Sequence, residues 1–189
     1  MKSKKYLIVL SSPSGGGKTT VAQFLLKKFK RLHFSISVTT RKPRHNEQDG
    51  KDYFFISKEE FEEKLGNNEF VEYEKIFDNY YGTLKSQINK AVAEGIFLLF
   101  DLDVKGAINL KKAFPDNTAL IFLVPPSIEV LEERLKKRAS ETSEQVQKRL
   151  ERAKLEIEHQ NEFDYVVINE ELNKTLATVD NIVTRIITM

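Results

Sequence analysis

Short apolar runs along the chain alternate with longer segments whose apolar residues recur at helical spacing. The runs at residues 6–10, 96–100, 119–124 and 165–168 predict strands. Continuous apolar runs are typical of strands that are covered on both faces, and connections of helical pattern favour a parallel arrangement. The pattern therefore predicts an α/β fold in which helices flank a parallel sheet.

Polar residues mark the starts of several predicted helices. Ser57-Lys58-Glu59-Glu60 and the stretch from Thr142 to Gln145 match a capping box, and Ser127 and Thr83 are predicted to cap two further helices. The predicted helices cover about residues 18–30, 57–66, 83–94, 127–138 and 142–162, with a last one from about residue 172.

Residues 33–83 interrupt the alternation of strand and helix. They contain predicted strands at 53–56 and 70–77, and Asn79-Tyr80-Tyr81-Gly82 is predicted to form a turn. We therefore predict a single domain over residues 1–189, with a core at 1–32 and 84–189 and an inserted subdomain at 33–83.

Composition narrows the classes of protein to consider. The chain has 189 residues, no cysteine, and a net charge of +2 from 30 basic and 28 acidic side chains. This balance gives no case for nucleic-acid binding, and the lack of cysteine excludes disulfides and cysteine-ligated zinc. No apolar run approaches the ~20 residues of a membrane span, so we expect no membrane partner. A reducing cytoplasm is the expected location.

The strongest candidate for chemistry is the stretch at residues 11–20, Ser-Ser-Pro-Ser-Gly-Gly-Gly-Lys-Thr-Thr, which lies between a predicted strand and a predicted helix. Such a loop aims its backbone N–H groups and the positive end of the helix at phosphate groups. Lys18 would reach the β- and γ-phosphates of a nucleotide, and Thr19 would ligate Mg²⁺. The usual first glycine is Ser12 here, a small residue that can still enter the turn. The alternative is an ordinary Gly/Ser turn.

Other polar side chains are candidates for metal and phosphate binding. Asp101 follows the predicted strand at 96–100, where folds with a phosphate loop hold Mg²⁺ or its water shell. The alternative is a carboxylate that caps a helix. Arg41 and Arg44 flank Pro43, and this spacing suits bidentate binding of a phosphate group. A solvated basic loop and a localisation signal are the alternatives for this stretch.

Four arginines lie on two predicted helices on either side of residues 139–143: Arg134, Arg138, Arg149 and Arg152. Most such residues are solvated and pair along the helix. A mobile helical hairpin could instead bring them to a transferring phosphoryl group and stabilise its charge. Glu72 lies in an alternating strand, and by pattern alone it is expected to face solvent.

These motifs resemble those of guanylate kinases, the enzymes that phosphorylate GMP with ATP. The resemblance spans nearly the whole chain and is strongest at residues 12–19, 37–44, 68–72 and 79–83, while Asp101-Leu102-Asp103 also fits. It implies a P-loop nucleoside-triphosphate hydrolase-type fold, with an inserted GMP-binding subdomain and a helical lid at about 137–150. The family usually has a glycine before Glu47, and this chain has Asn46, which tolerates a left-handed backbone.

The resemblance also implies a role for individual residues. A carboxylate can accept hydrogen bonds from N1–H and the exocyclic amine of guanine, whereas adenine would leave it unpaired. The implied sites are ATP at Ser14, Gly15, Gly16, Gly17, Lys18, Thr19 and Thr20; the GMP phosphate at Arg41, Arg44, Tyr53 and Tyr81; guanine at Ser37, Glu72, Thr83 and Asp103; Mg²⁺ at Thr19 and Asp101; and catalysis by Lys18, Arg41, Arg138 and Arg149.

The expected reaction is in-line transfer of the γ-phosphoryl group of ATP to GMP, and more slowly to dGMP, in purine nucleotide metabolism. No catalytic base is needed, because the phosphate of GMP is already largely ionised at neutral pH. The alternatives are a non-catalytic guanylate-kinase-like protein-binding domain, a nucleotide kinase with another acceptor, and a GTPase. The last would need an Asn-Lys-x-Asp motif, which the sequence lacks. A monomer and a homodimer are both compatible with the sequence.

Overall fold

The fold is an α/β arrangement built on two sheets. The computed structural model describes residues 4–76, 78–136 and 143–188. The strands are β1 (Leu7–Ser11), β2 (Leu32–Phe34), β3 (Val38–Thr39), β4 (Phe54–Phe55), β5 (Phe70–Ile76), β6 (Asn79–Leu84), β7 (Phe97–Asp101), β8 (Thr118–Val124) and β9 (Tyr165–Ile168). The helices are α1 (Lys18–Lys28), α2 (Lys58–Gly66), α3 (Lys85–Glu94), α4 (Val104–Ala113), α5 (Ile128–Lys136), α6 (Ser143–Glu158), a 3₁₀ helix (His159–Glu162) and α7 (Leu172–Thr188).

The larger sheet has five parallel strands in the order β2-β7-β1-β8-β9. Its central strand β1 is buried along its whole length. Ile8 and Leu10 pack in a cluster with residues of α1 and α7, and Leu7 and Val9 pack in another with residues of α3 and α4. Burial on both faces explains the continuous apolar runs and confirms the prediction of a parallel sheet flanked by helices.

The smaller sheet has the order β4-β3-β6-β5 and spans residues 38–84. Helix α2 covers it through Phe61, whose ring stacks on Phe70 at 4.3 Å and on Tyr80 at 5.0 Å between centroids. β2, which includes His33 and Phe34, pairs instead with β7 in the larger sheet. A separate binding role for residues 33–83 stays a prediction.

Two predictions at the end of the smaller sheet are wrong. Residues 79–82 do not form a separate turn, because they belong to β6 and pair with β5 in antiparallel register. Thr83 does not cap α3, because it also lies in β6 and the helix begins at Lys85 after the apolar Leu84. Tyrosine and threonine suit a pleated, half-buried surface, and the strand pairing prevails over the local turn signal.

Two other predicted caps, Ser57 and Ser127, form in the structure. Ser57 accepts a hydrogen bond from the N–H of Glu60, and Ser127 accepts one from the N–H of Val130, as predicted. α4 was not among the predicted helices. Thr142 lies outside the described residues, as does the first part of the predicted lid. Within the described ranges, no helix has the length and apolar character needed to cross a membrane.

Candidate active site

The glycine-rich loop joins the carboxyl end of β1 to the start of α1. Gly15 and Gly17 have φ of +90° and +92°, a region that glycine adopts at little cost. A Cβ on Gly17 would lie 2.6 Å from Nδ2 of Asn169, which donates to the carbonyl of Gly16 at 2.7 Å. The loop is therefore a tight, backbone-lined turn at a helix N-terminus, the geometry that binds phosphate groups.

Lys18 lies across the mouth of this loop. Its Nζ donates to the carbonyl oxygen and to the hydroxyl of Ser12, at 3.3 and 3.4 Å, and lies 3.8 Å from Oδ1 of Asp101. Asp101 ends β7, which is parallel to β1, so the two carboxyl ends meet at one edge of the sheet. Burial raises the pKa of Asp101, and the charge of Lys18 opposes this shift. Thr19 and Thr20 are exposed on the first turn of α1.

Helix α6 contacts the same loop. Arg149 donates from Nε to the hydroxyl of Ser14 at 2.8 Å, and the N–H of Ser14 donates to Oε2 of Glu156 at 3.3 Å. Arg149 also lines a cavity of about 240 Å³ with the loop residues. The structure therefore brings one predicted lid arginine to the loop, whereas Arg138 lies outside the described residues.

The arginine stretch 41–44 is organised by the carboxylate of Glu47, which is not among the site residues predicted from the sequence. Both terminal nitrogens of Arg41 donate to Glu47, at 2.8 and 2.9 Å, and the N–H of Arg44 donates to the same carboxylate at 2.8 Å. This bidentate pair raises the pKa of Arg41 and lowers that of Glu47. The Arg41 guanidinium lies 5.4 Å from the ring of Tyr53, which is 5.9 Å from the ring of Tyr81.

A pocket of about 320 Å³ lies between the two sheets. Glu72 lines it, and Oε1 of Glu72 accepts a hydrogen bond at 2.6 Å from the hydroxyl of Thr83, which is buried behind the lining. Burial raises the pKa of Glu72, and the hydrogen bond from Thr83 opposes this shift. The pocket is lined by Ser37, Tyr53, Glu72, Glu74, Tyr81, Gly82, Asp101, Leu102 and Asp103.

Alternation alone predicts that Glu72 faces solvent. In the structure it faces the pocket instead. The register of β5 shifts between Phe70 and Glu72, and this bulge sets Glu72 opposite Thr83. A Cβ on Gly82 would lie 2.8 Å from the ring of Phe70, so glycine allows the close approach of the two strands. The bulge therefore turns the carboxylate into the pocket.

Asp103 lies at the amino end of α4 and contributes to both the fold and the pocket. Its Oδ1 accepts a hydrogen bond from the N–H of Gly106 at 2.8 Å and caps the helix. Its Oδ2 accepts from Nη2 of Arg152 on α6 at 3.2 Å. The helix-capping role considered for Asp101 thus belongs to Asp103, and Asp101 stays free to face the loop.

Three residues at the site were missed from the sequence. Asn169 follows β9 at the carboxyl edge of the sheet, and Glu47 lies three residues after Arg44. Glu156 lies four residues after Arg152 on α6, a spacing that places both side chains on one face of a helix. Helical spacing was therefore the one signal that could have found Glu156.

Comparison with known proteins gives consistent matches. The family model described as guanylate kinase matches residues 4–186. A guanylate kinase of Chlorobaculum tepidum is 52% identical over 180 residues, which cover 95% of this chain and 91% of that protein. One of Rickettsia bellii is 45% identical over 182 residues, covering 96% and 95%.

The fold gives the same result. The crystal structure of guanylate kinase from Anaplasma phagocytophilum matches with a TM-score of 0.72 and 34% identity, and covers 98% of this chain and 87% of that one. Sequence and fold agree along nearly the whole chain, which therefore belongs to the guanylate kinase family.

Proposed function

We propose that this protein transfers the γ-phosphoryl group of ATP to GMP, giving ADP and GDP. The observation that carries the proposal is the position of Asp101 between two sites. Its carboxylate pairs with Lys18 of the glycine-rich loop, and its side chain lines the pocket that holds Glu72 and Asp103. Donor and acceptor would therefore meet at the carboxyl edge of the larger sheet.

The pocket suits guanine. Glu72 can accept hydrogen bonds from N1–H and the exocyclic amine, and Ser37 and Asp103 line the same space. The Thr83 hydroxyl donates its single proton to Glu72, so its proposed role toward guanine is to hold that carboxylate in place. Adenine has no N–H at N1, so Glu72 would keep only the hydrogen bond from Thr83 and gain none from the base, which disfavours the binding of adenine strongly.

The acceptor phosphate is expected beside the arginine pair. Glu47 and the carbonyl of Lys42 accept hydrogen bonds from the terminal nitrogens of Arg41. The edge of the guanidinium that carries Nε makes neither of these contacts, and we propose that it faces the phosphate. Arg44, Tyr53 and Tyr81 are proposed to complete this phosphate site.

Transfer itself requires position and charge more than acid–base chemistry. The loop N–H groups and Lys18 would hold the ATP phosphates, and Arg149 would reach the transferring group from α6. Arg138 is proposed for the same role. Closure of the lid over both nucleotides would exclude water, which otherwise would hydrolyse ATP.

Mg²⁺ is the proposed cofactor, and the oxygen donors present fit it. The hydroxyl of Thr19 and the carboxylate of Asp101 are hard ligands, and no cluster of three or more acidic or histidine side chains forms a metal cage among the described residues. Mg²⁺ commonly keeps several waters and binds substrate phosphates with only one or two protein ligands. When bound, it would neutralise charge on the transferring phosphoryl group.

A coupled assay with ATP and Mg²⁺ tests the proposal. We expect turnover with GMP, slower turnover with dGMP, and none with AMP or CMP. Equal rates with AMP would contradict the guanine assignment. A non-catalytic protein-binding role is not favoured, because the donor loop is complete. We place the reaction in the cytoplasm, consistent with a chain that has no cysteine.

A second experiment tests the donor site. Lys18→Ala should abolish turnover and leave the fold intact, because Lys18 is partly exposed and its contacts with Ser12 and Asp101 are long. Lys90→Ala, an exposed lysine on α3, is the matched control and should keep wild-type turnover. Retained activity in the Lys18 variant would remove this residue from the mechanism.

A further inference from the structure

Helix α6 connects the glycine-rich loop to the acceptor pocket through an unbroken chain of hydrogen bonds. The N–H of Ser14 donates to Oε2 of Glu156 at 3.3 Å, and Nε of Arg152 donates to Oε1 of the same carboxylate at 2.8 Å. Arg152 then donates from Nη2 to Oδ2 of Asp103 at 3.2 Å. One guanidinium therefore bridges two carboxylates that belong to different sites.

Each end of this chain is anchored. Glu156 and Arg152 are four residues apart on one helix face, and the Glu156 side chain is only 13% exposed. Asp103 is held by the N–H of Gly106, which donates to its other oxygen at 2.8 Å. A change at one end can therefore reach the other through the position of Arg152.

The two carboxylates would act on the nucleotides in opposite ways, one by repulsion and the other by hydrogen bonding. Glu156 places a negative charge next to the N–H of Ser14 in the loop, where this charge repels an approaching phosphate group. Asp103 faces the acceptor pocket, where the N–H groups of guanine would compete with Arg152 for its oxygens. A cavity of about 570 Å³ lined by Arg152, Glu156 and Asp103 gives the guanidinium room to move.

We propose that Arg152 and Glu156 are positioning residues that couple the two nucleotide sites, an inference that rests on the proposed function. When GMP engages Asp103, Arg152 keeps its hydrogen bond to Glu156 and draws that carboxylate away from Ser14. The loop N–H is then free for a phosphate oxygen. GMP therefore strengthens nucleotide binding at the loop, and by linkage the donor nucleotide strengthens GMP binding by the same factor.

The coupling can be measured by calorimetric titration with ADP, which has no γ-phosphoryl group and cannot react with GMP. The dissociation constant of ADP is determined with and without saturating GMP. For the wild-type protein we expect saturating GMP to tighten ADP binding about fivefold, at the lower end of typical coupling between sites.

Two variants should change the affinity for ADP in the absence of GMP, and in opposite directions. Glu156→Gln removes the negative charge at the loop and should tighten ADP binding about fivefold, whereas Arg152→Met leaves that charge without its counter-ion and should weaken binding by a similar factor. Both variants should lose the effect of GMP. Glu151→Gln, an exposed residue on α6 that accepts from Gln147, is the matched control and should keep the wild-type values.

The proposal is overturned if wild-type ADP binding does not respond to GMP, if either variant keeps the response, or if Glu156→Gln weakens ADP binding. A purely structural role would lower the affinity in both variants and would not give opposite signs. Turnover of GMP by the wild-type protein tests the proposed function separately. With turnover present and coupling absent, only this inference fails.

Discussion

The hydrogen bond from Thr83 to Glu72 provides a sharp test of the acceptor pocket. Thr83→Val removes the donor and keeps the shape of the side chain, which is 1% exposed. The lost bond is 2.6 Å long and ends on a partly buried carboxylate. Hydrogen bonds to charged groups contribute about 1.5–3 kcal/mol, so we expect the free energy of unfolding to fall by roughly 2 kcal/mol near pH 8.

This loss should depend on pH in a defined direction. Burial raises the pKa of Glu72 above the ordinary glutamate value, and Thr83 opposes the shift, so the variant raises that pKa further. A raised carboxyl pKa favours the folded state at low pH and costs stability as pH rises through it. The deficit of the variant should therefore shrink to about half as Glu72 becomes protonated, because neutral hydrogen bonds are roughly half as strong.

Urea denaturation between pH 8 and pH 5 measures this deficit, and NMR titration of Glu72 measures its pKa. Thr83→Ser keeps the hydroxyl and is the matched control, with a pKa for Glu72 close to that of the wild type. A deficit that does not change with pH, or an equal pKa shift in the serine and valine variants, would refute the reasoning. The KM for GMP should rise in the valine variant, since the carboxylate loses its fixed position.

Two further predictions concern the loop and the arginine pair. Gly17→Ala should lower the free energy of unfolding by about 2–3 kcal/mol in thermal denaturation, because φ is positive there and the hydrogen bond of Asn169 would be lost. Gly66→Ala is the control and should not destabilise the protein in the same assay, because there is open space around Gly66. Glu47→Gln should raise the KM for GMP and leave that for ATP unchanged in steady-state kinetics, because Glu47 orients Arg41; an equal rise for ATP would contradict this role.

Local pattern was sufficient wherever a structure depends on neighbours in sequence. The buried strands, the capping box at Ser57 and the start of α1 at Lys18 follow from burial, side-chain caps and glycine geometry, which act over a few residues. The same reasoning failed at Thr83, where the strand partner overrides the capping signal. Helix α4 was missed, although Asp103 supplies an N-cap that is visible in the sequence.

The sequence by itself determined the two-sided burial of the larger sheet and the tight glycine-rich turn before Lys18, because apolar runs and glycine-rich turns allow few other structures. Only the tertiary structure decided that a bulge turns Glu72 into the pocket and that Arg152 reaches Asp103 from a helix 49 residues away along the chain. These contacts join distant segments, and their geometry depends on strand register and helix packing. Local residue patterns do not predict the strand register or the helix packing on which these contacts depend.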